Sequence, residues 1–186
     1  GPGTGKTTIV KAILKMFDEL EIDTFLAAPT GRAAKRMTEL TGMEASTVHR
    51  LLGAKMSDNG ENLIFTKDEE DKLACDALIL DECSMVDITL MQALLKALKS
   101  DCRLVLVGDA DQLPSVGPGN VLSDIIRSEL VPTVRLTEIF RQNVESKIVR
   151  NAHMINRGEH PGFEENTGDF FRLKRIQGGT TVDTVL

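Results

Sequence analysis

The chain opens with Gly1-Pro2-Gly3-Thr4-Gly5-Lys6-Thr7-Thr8, and the reading of this stretch decides the fold. Gly5-Lys6-Thr7 is the ending of the phosphate-binding pattern G-x-x-x-x-G-K-[ST]. Glycines at 3 and 5 let the backbone curl until successive N–H groups face one concavity, beside the positive end of the helix that follows. Lys6 is then placed to reach the β- and γ-phosphates, and the Thr7 hydroxyl to hold Mg²⁺. The nucleotide-binding candidates are Gly1, Pro2, Gly3, Thr4, Gly5, Lys6, Thr7 and Thr8. The whole pattern needs one more glycine before residue 1 and a strand before that. The expectation is therefore a fragment of a longer chain, with a sheet lacking the strand before the loop.

Outward from the loop, strand and helix patterns alternate. Ile9, Ile13, Met16 and Leu20 recur at helical spacing from Lys6 onward. Thr24–Ala28 is a short apolar run stopped by Pro29, and Thr30 can cap a helix from Arg32 to about Leu40. Ser46–Leu52 reads as a short capped helix ending at Gly53. Asn59-Gly60 predicts a β-hairpin insert over about residues 54–72. Ala77–Leu80 is a buried strand, and Asp87 caps a helix with the apolar face Ile88, Met91, Leu95 and Leu98. Leu104–Val107 is another strand, and Val121, Leu122, Ile125 and Ile126 mark a helix. Val134–Leu136 is a weaker strand, Ile148, Ala152 and Ile155 suggest one more helix, and Phe170–Leu173 is the last strand candidate. The order predicts an α/β fold with a mostly parallel sheet and helices on both faces.

The chemistry gathers at strand ends. Leu78-Ile79-Leu80-Asp81-Glu82 carries two carboxylates to the edge where open α/β sheets bind ligands. Asp81 is the candidate Mg²⁺ holder, and Glu82 the group that orients and deprotonates an attacking water. A phosphotransferase needs no such glutamate, because its nucleophile belongs to the acceptor, so the pair favours hydrolysis. Gly108-Asp109-Ala110-Asp111-Gln112 leaves the next strand, with Gln112 a candidate γ-phosphate sensor or simply part of an acidic turn. Arg141, in Phe140-Arg141-Gln142, either offsets charge growing on the γ-phosphate or is an ordinary surface arginine. The catalytic candidates are Lys6, Glu82, Gln112 and Arg141.

These parts in this order resemble the first motor domain of superfamily 1 helicases of the RecD-like group, the exodeoxyribonuclease V alpha-chain type. The resemblance is carried by Gly1–Thr8, Ala28-Pro29-Thr30-Gly31-Arg32-Ala33-Ala34, Ser46–Leu52, Asp81-Glu82-Cys83-Ser84-Met85, Gly108–Pro114 and Leu136–Gln142, over about residues 1–160. It implies a RecA-like P-loop fold, with residues 161–186 leading toward a second motor domain. It also implies ATP-driven 5′-to-3′ translocation on single-stranded DNA with duplex unwinding, in recombination or repair. Thr30 and Arg32 become candidate DNA contacts, with His49 nearby; read alone, the first is equally a helix cap and the last a core histidine. Arg32 stands where lysine is common in the family, and Cys83 where a small aliphatic residue is usual. Partners implied are the DNA, the second motor domain and subunits of a nuclease–helicase complex. An RNA-directed helicase and a nucleotide-gated binding module remain alternatives.

Composition excludes other classes. The 186 residues carry a net charge of −6, which disfavours a protein that merely coats nucleic acid with positive charge, though not a local basic groove. Three cysteines without C-x-x-C spacing argue against a disulfide framework or zinc site and fit a reducing, cytoplasmic setting. No apolar run approaches the ~20 residues of a membrane span.

Overall fold

The run Ala77–Leu80 is the centre of the fold, because all four of its residues are buried. The computed structural model describes residues 4–57, 60, 63–136, 147–162 and 169–170. In chain order it holds α1 (Lys6–Glu19), β1 (Thr24–Ala28), α2 (Gly31–Thr41), β2 (Ala45–Thr47), α3 (Val48–Leu51), β3 (Lys55–Met56) and β4 (Leu63–Ile64). There follow β5 (Ala77–Leu80), a 3₁₀ turn (Cys83–Met85), α4 (Ile88–Ala97), β6 (Arg103–Leu106), α5 (Val121–Ser128) and α6 (Lys147–Asn156). One sheet has the order β2-β1-β5-β6 with every pair parallel, and β3 pairs antiparallel with β4.

The strand period of two divides the core between the sheet's faces. Ala77 and Ile79 of β5 join Val10 and Phe17 of α1, Leu26 of β1 and Met37 of α2 on one face. Leu78 and Leu80 join Val48, Leu52, Leu90, Met91, Leu94 and Leu122 on the other. Burying each large side chain contributes about 1.5–3 kcal/mol, and helices lie on both faces as the alternation of elements predicts. β6 and β2 are the edge strands among the described residues, and Leu104, Val105 and Leu106 of β6 are only half-buried.

Local signals set the helix ends. The Thr30 side chain accepts the Ala33 N–H at 3.2 Å, and Asp87 accepts the Leu90 N–H at 2.8 Å. Capping side chains of this kind are worth about 1 kcal/mol each.

Several expectations need correction. In α1 the sheet-facing residues are Val10 and Phe17, while Ile9, Met16 and Leu20 are exposed. In α4 the buried set is Leu90, Met91, Leu94 and Ala97, with Ile88 and Leu95 outside. Both helices carry two apolar stripes, and contact with the sheet selects one. Ser46 belongs to β2, because Leu26, Ala27 and Ala28 pair with Ala45, Ser46 and Thr47. The helix then starts at Val48, capped by Thr47 through the Arg50 N–H. Val134–Leu136 is not a strand: Val134 is 86% exposed and the segment has no ladder partner among the described residues. Phe170 lies outside regular structure, and residues 171–173 lie outside the described residues.

The chain divides into two compact units, the first running to residue 139 and the second from residue 140. The second contains α6, whose Ile148, Ala152 and Ile155 are exposed. Its buried polar anchor is Asn151, which accepts the Gly162 N–H at 3.0 Å and donates to the Gly162 carbonyl at 3.2 Å.

Candidate nucleotide site and nucleic-acid edge

The C-terminal ends of the four parallel strands bring the loop, the two acidic turns and the Thr30 segment to one side of the sheet. Gly5 begins α1 at φ 84°, a left-handed conformation that glycine adopts at little cost. Its carbonyl accepts the Ile9 N–H at 3.1 Å, so the helix starts immediately behind Lys6. Lys6 Nζ stands 3.6 Å from Asp109 Oδ2, with side-chain exposures of 22% and 4%. Thr7 is half-buried and Thr8 exposed in the first turn, and Thr4 is buried. Gly1, Pro2 and Gly3 lie outside the described residues.

Beyond β5 the chain turns sharply. Glu82 has φ 50° and ψ 36°, a conformation that costs a non-glycine residue about 1–3 kcal/mol and persists where neighbours enforce it. They do so here: Asp81 N–H donates to the Ala27 carbonyl at 2.9 Å and Cys83 N–H to the Val107 carbonyl at 3.0 Å. Asp81 Oδ1 accepts the Glu82 N–H at 2.8 Å. The Asp81 carboxylate is thereby oriented with one oxygen committed. Glu82 Oε2 and the Ser84 hydroxyl are buried without a hydrogen-bond partner among the described residues.

The turn after β6 packs against this one. A Cβ on Gly108 would lie 2.8 Å from Cys83 Sγ, 2.8 Å from Leu122 Cδ2 and 3.3 Å from Ser84 N, so only glycine fits without displacement. Burial alone would raise the Asp109 carboxyl, but opposing contributions led by the Asp111 N–H and the Lys6 ammonium leave it below the ordinary 3.8. Burial pushes the Cys83 thiol up to about 12, reinforced by the Asp81 carboxylate, which makes it a packing group rather than a nucleophile.

The remaining candidates divide. Gln112 is exposed; its N–H donates to the Asp109 carbonyl at 3.2 Å, and its side chain makes no hydrogen bond among the described residues. Arg141 lies outside the described residues. Thr30 uses its hydroxyl oxygen as a cap, leaving the O–H to donate elsewhere, and Arg32 is exposed in the same turn. His49 is half-buried with its ring centroid 6.0 Å from that of Phe65, just beyond β4. The partner of Lys6 was missed by sequence reasoning; the available signal was a second acid, Asp109, immediately after a strand-end glycine.

The AAA domain family model matches residues 1–118. The chain is 42% identical over 163 residues to the ATP-dependent RecD2 DNA helicase of Deinococcus radiodurans, covering 88% of this chain and 22% of that protein. It is 40% identical over 149 residues to the RecBCD enzyme subunit RecD of Mycolicibacterium smegmatis, covering 68% and 26%. The chain thus spans about a quarter or less of these relatives' length. A structure described as the basis for DNA unwinding at forked duplex DNA by two coordinating Pif1 helicases shares the fold, with a TM-score of 0.57 at 24% identity, over 85% of this chain and 43% of that one. The RecD-like resemblance seen in the motifs is borne out by these relatives.

Proposed function

The chain belongs to the AAA domain family, and from that premise we propose that it is the first motor domain of an ATP-dependent DNA helicase. The observation that carries the reading is the convergence of Lys6, Asp81, Glu82 and Asp109 at one end of a parallel sheet, with Lys6 and Asp109 already paired. The motor domain spans residues 1–160 with the hairpin insert at about 54–72, and residues 161–186 lead to a second motor domain. ATP lies on the loop of Gly1–Thr8, its phosphates held by backbone N–H groups and Lys6. Lys6 exchanges the Asp109 carboxylate for phosphate oxygens when nucleotide arrives. Glu82 accepts the proton of the attacking water, while Gln112 and Arg141 respond to the γ-phosphate.

Thr7 and Asp81 fit a Mg²⁺ ion. Asp81 has a carboxylate oxygen left after binding the Glu82 N–H. That suits an ion held by one or two protein oxygens together with phosphate and water. Bound there, Mg²⁺ would neutralise charge on the β- and γ-phosphates.

Thr30, Arg32 and His49 contact the sugar–phosphate strand, which positions single-stranded DNA without reading its sequence. In the full-length protein the cycle drives 5′-to-3′ translocation and unwinding in recombination or repair. The setting is cytoplasmic, and partners include nuclease–helicase subunits. No helix among the described residues is long and apolar enough to cross a membrane. The test is ATP turnover by the full-length protein with single-stranded DNA, with RNA and with no polymer. Stimulation by DNA above RNA supports the reading; equal stimulation by RNA, or none by either, rejects it.

A further inference from the structure

Two polar atoms in one turn are buried with no hydrogen-bond partner among the described residues. Ser84 is 7% exposed, and its hydroxyl, a donor, makes no hydrogen bond among the described residues. Two residues earlier, the acceptor Glu82 Oε2 is buried and equally unpartnered. Buried polar groups are nearly always paired, so a donor and an acceptor orphaned together call for a common explanation.

The backbone around them has little freedom. Cys83 N–H is bonded to Val107, Met85 N–H to the Glu82 carbonyl and Val86 N–H to the Cys83 carbonyl. Gly108 closes against Cys83 Sγ and Ser84 N on the other side. Ser84 is thus held between these backbone bonds and Gly108. The charged groups around the turn are Asp81, Glu82 and Lys6, whose fields reach the Cys83 thiol, and Asp109, which pairs with Lys6.

We infer that Ser84 is a positioning residue for ATP hydrolysis: its hydroxyl donates to Glu82 Oε2, directly or through one bridging water, and aims the other carboxylate oxygen at the attacking water. This rests on the reading of Glu82 as the general base. The bond forms when the carboxylate is turned toward the γ-phosphate. Ser84 touches neither substrate nor metal in this role and should not alter nucleotide binding.

The test is steady-state ATP turnover by the full-length protein carrying S84A, S84C or E82Q, with thermal midpoints measured alongside. S84A should lower kcat by about ten- to a hundredfold, as misplacement of a reacting group does, with KM for ATP unchanged and the midpoint unchanged or raised. S84C retains a weak donor and should fall between wild type and S84A. Wild-type kcat in S84A would overturn the inference, as would S84C turning over more slowly than S84A, which would mark a packing role. A fall in kcat matched by a changed KM or a lowered midpoint would overturn it too. Sustained turnover by E82Q would overturn the base reading and this inference with it. An inactive E82Q beside an undiminished S84A overturns the Ser84 inference alone.

Discussion

The Lys6 ammonium lies 3.6 Å from Asp109 Oδ2, so the first turn of α1 and the turn after β6 are joined by an ion pair. Asp109 is buried and its own carboxylate also receives the Asp111 N–H at 3.2 Å. A change at Lys6 therefore reaches the turn that carries Gln112 through a single side chain.

Removing either partner should cost more than a surface ion pair would, because the other is left desolvated. D109A is expected to lower stability by about 1–3 kcal/mol, or about 2–4 °C for each kcal/mol in a chain of this size. A thermal double-mutant cycle with K6A should return a coupling of about 0.5–3 kcal/mol. Strict additivity would mean that the contact contributes nothing.

Acid titration offers a separate check. The folded Asp109 carboxyl is held below 3.8, so the unfolded chain takes up that proton first. Its contribution to stability is complete above that value and is lost as pH falls through the lower folded value. Wild-type stability should drop more steeply than that of D109N over this acidic window. Parallel curves would contradict the pairing.

Burial gives the cysteines the opposite sign. Burial pushes the Cys75 and Cys83 thiols up to about 12, so their neutral forms stabilise the fold fully below the ordinary 9.0 and progressively less as pH rises toward 12. At pH near 8 iodoacetamide should label Cys83 only as fast as the chain unfolds, read by peptide mass spectrometry. Rapid native labelling of Cys83 would show that the turn is open.

Glycine substitution separates a packed position from a free one. G108A drives a methyl group into Cys83 Sγ and Leu122, with an expected loss of about 1–3 kcal/mol. At Gly31, in the first turn of α2, a Cβ would have nothing within 4 Å. G31A should leave stability unchanged or raise it by about 0.4–1 kcal/mol. Equal thermal midpoints for the two variants would contradict the packing of the turns.

The parts of the fold legible in sequence were those with local signals. β1 and β5 stand out as apolar runs ended by Pro29 and Asp81, and Thr30 and Asp87 cap the helices they precede. β2 was hidden because Ala45-Ser46-Thr47 has no strand pattern; pairing with Leu26–Ala28 makes it a strand. The buried face of α1 was equally hidden, since Ile9-Met16-Leu20 and Val10-Phe17 both have helical spacing and only the sheet distinguishes them. For the candidate site, motif and strand-end logic single out Lys6, Asp81 and Glu82. The Lys6–Asp109 pair and the unpartnered Ser84 depend on residues distant in sequence meeting at the sheet edge, which no local pattern encodes.

The central claim is that Glu82, held in a left-handed turn at the end of β5, removes the proton from the attacking water. The most direct measurement is single-turnover ATP hydrolysis by E82Q in the full-length protein with single-stranded DNA, alongside its nucleotide affinity. The account predicts wild-type affinity with hydrolysis reduced by about a hundredfold or more. Hydrolysis at a rate near wild type would contradict it.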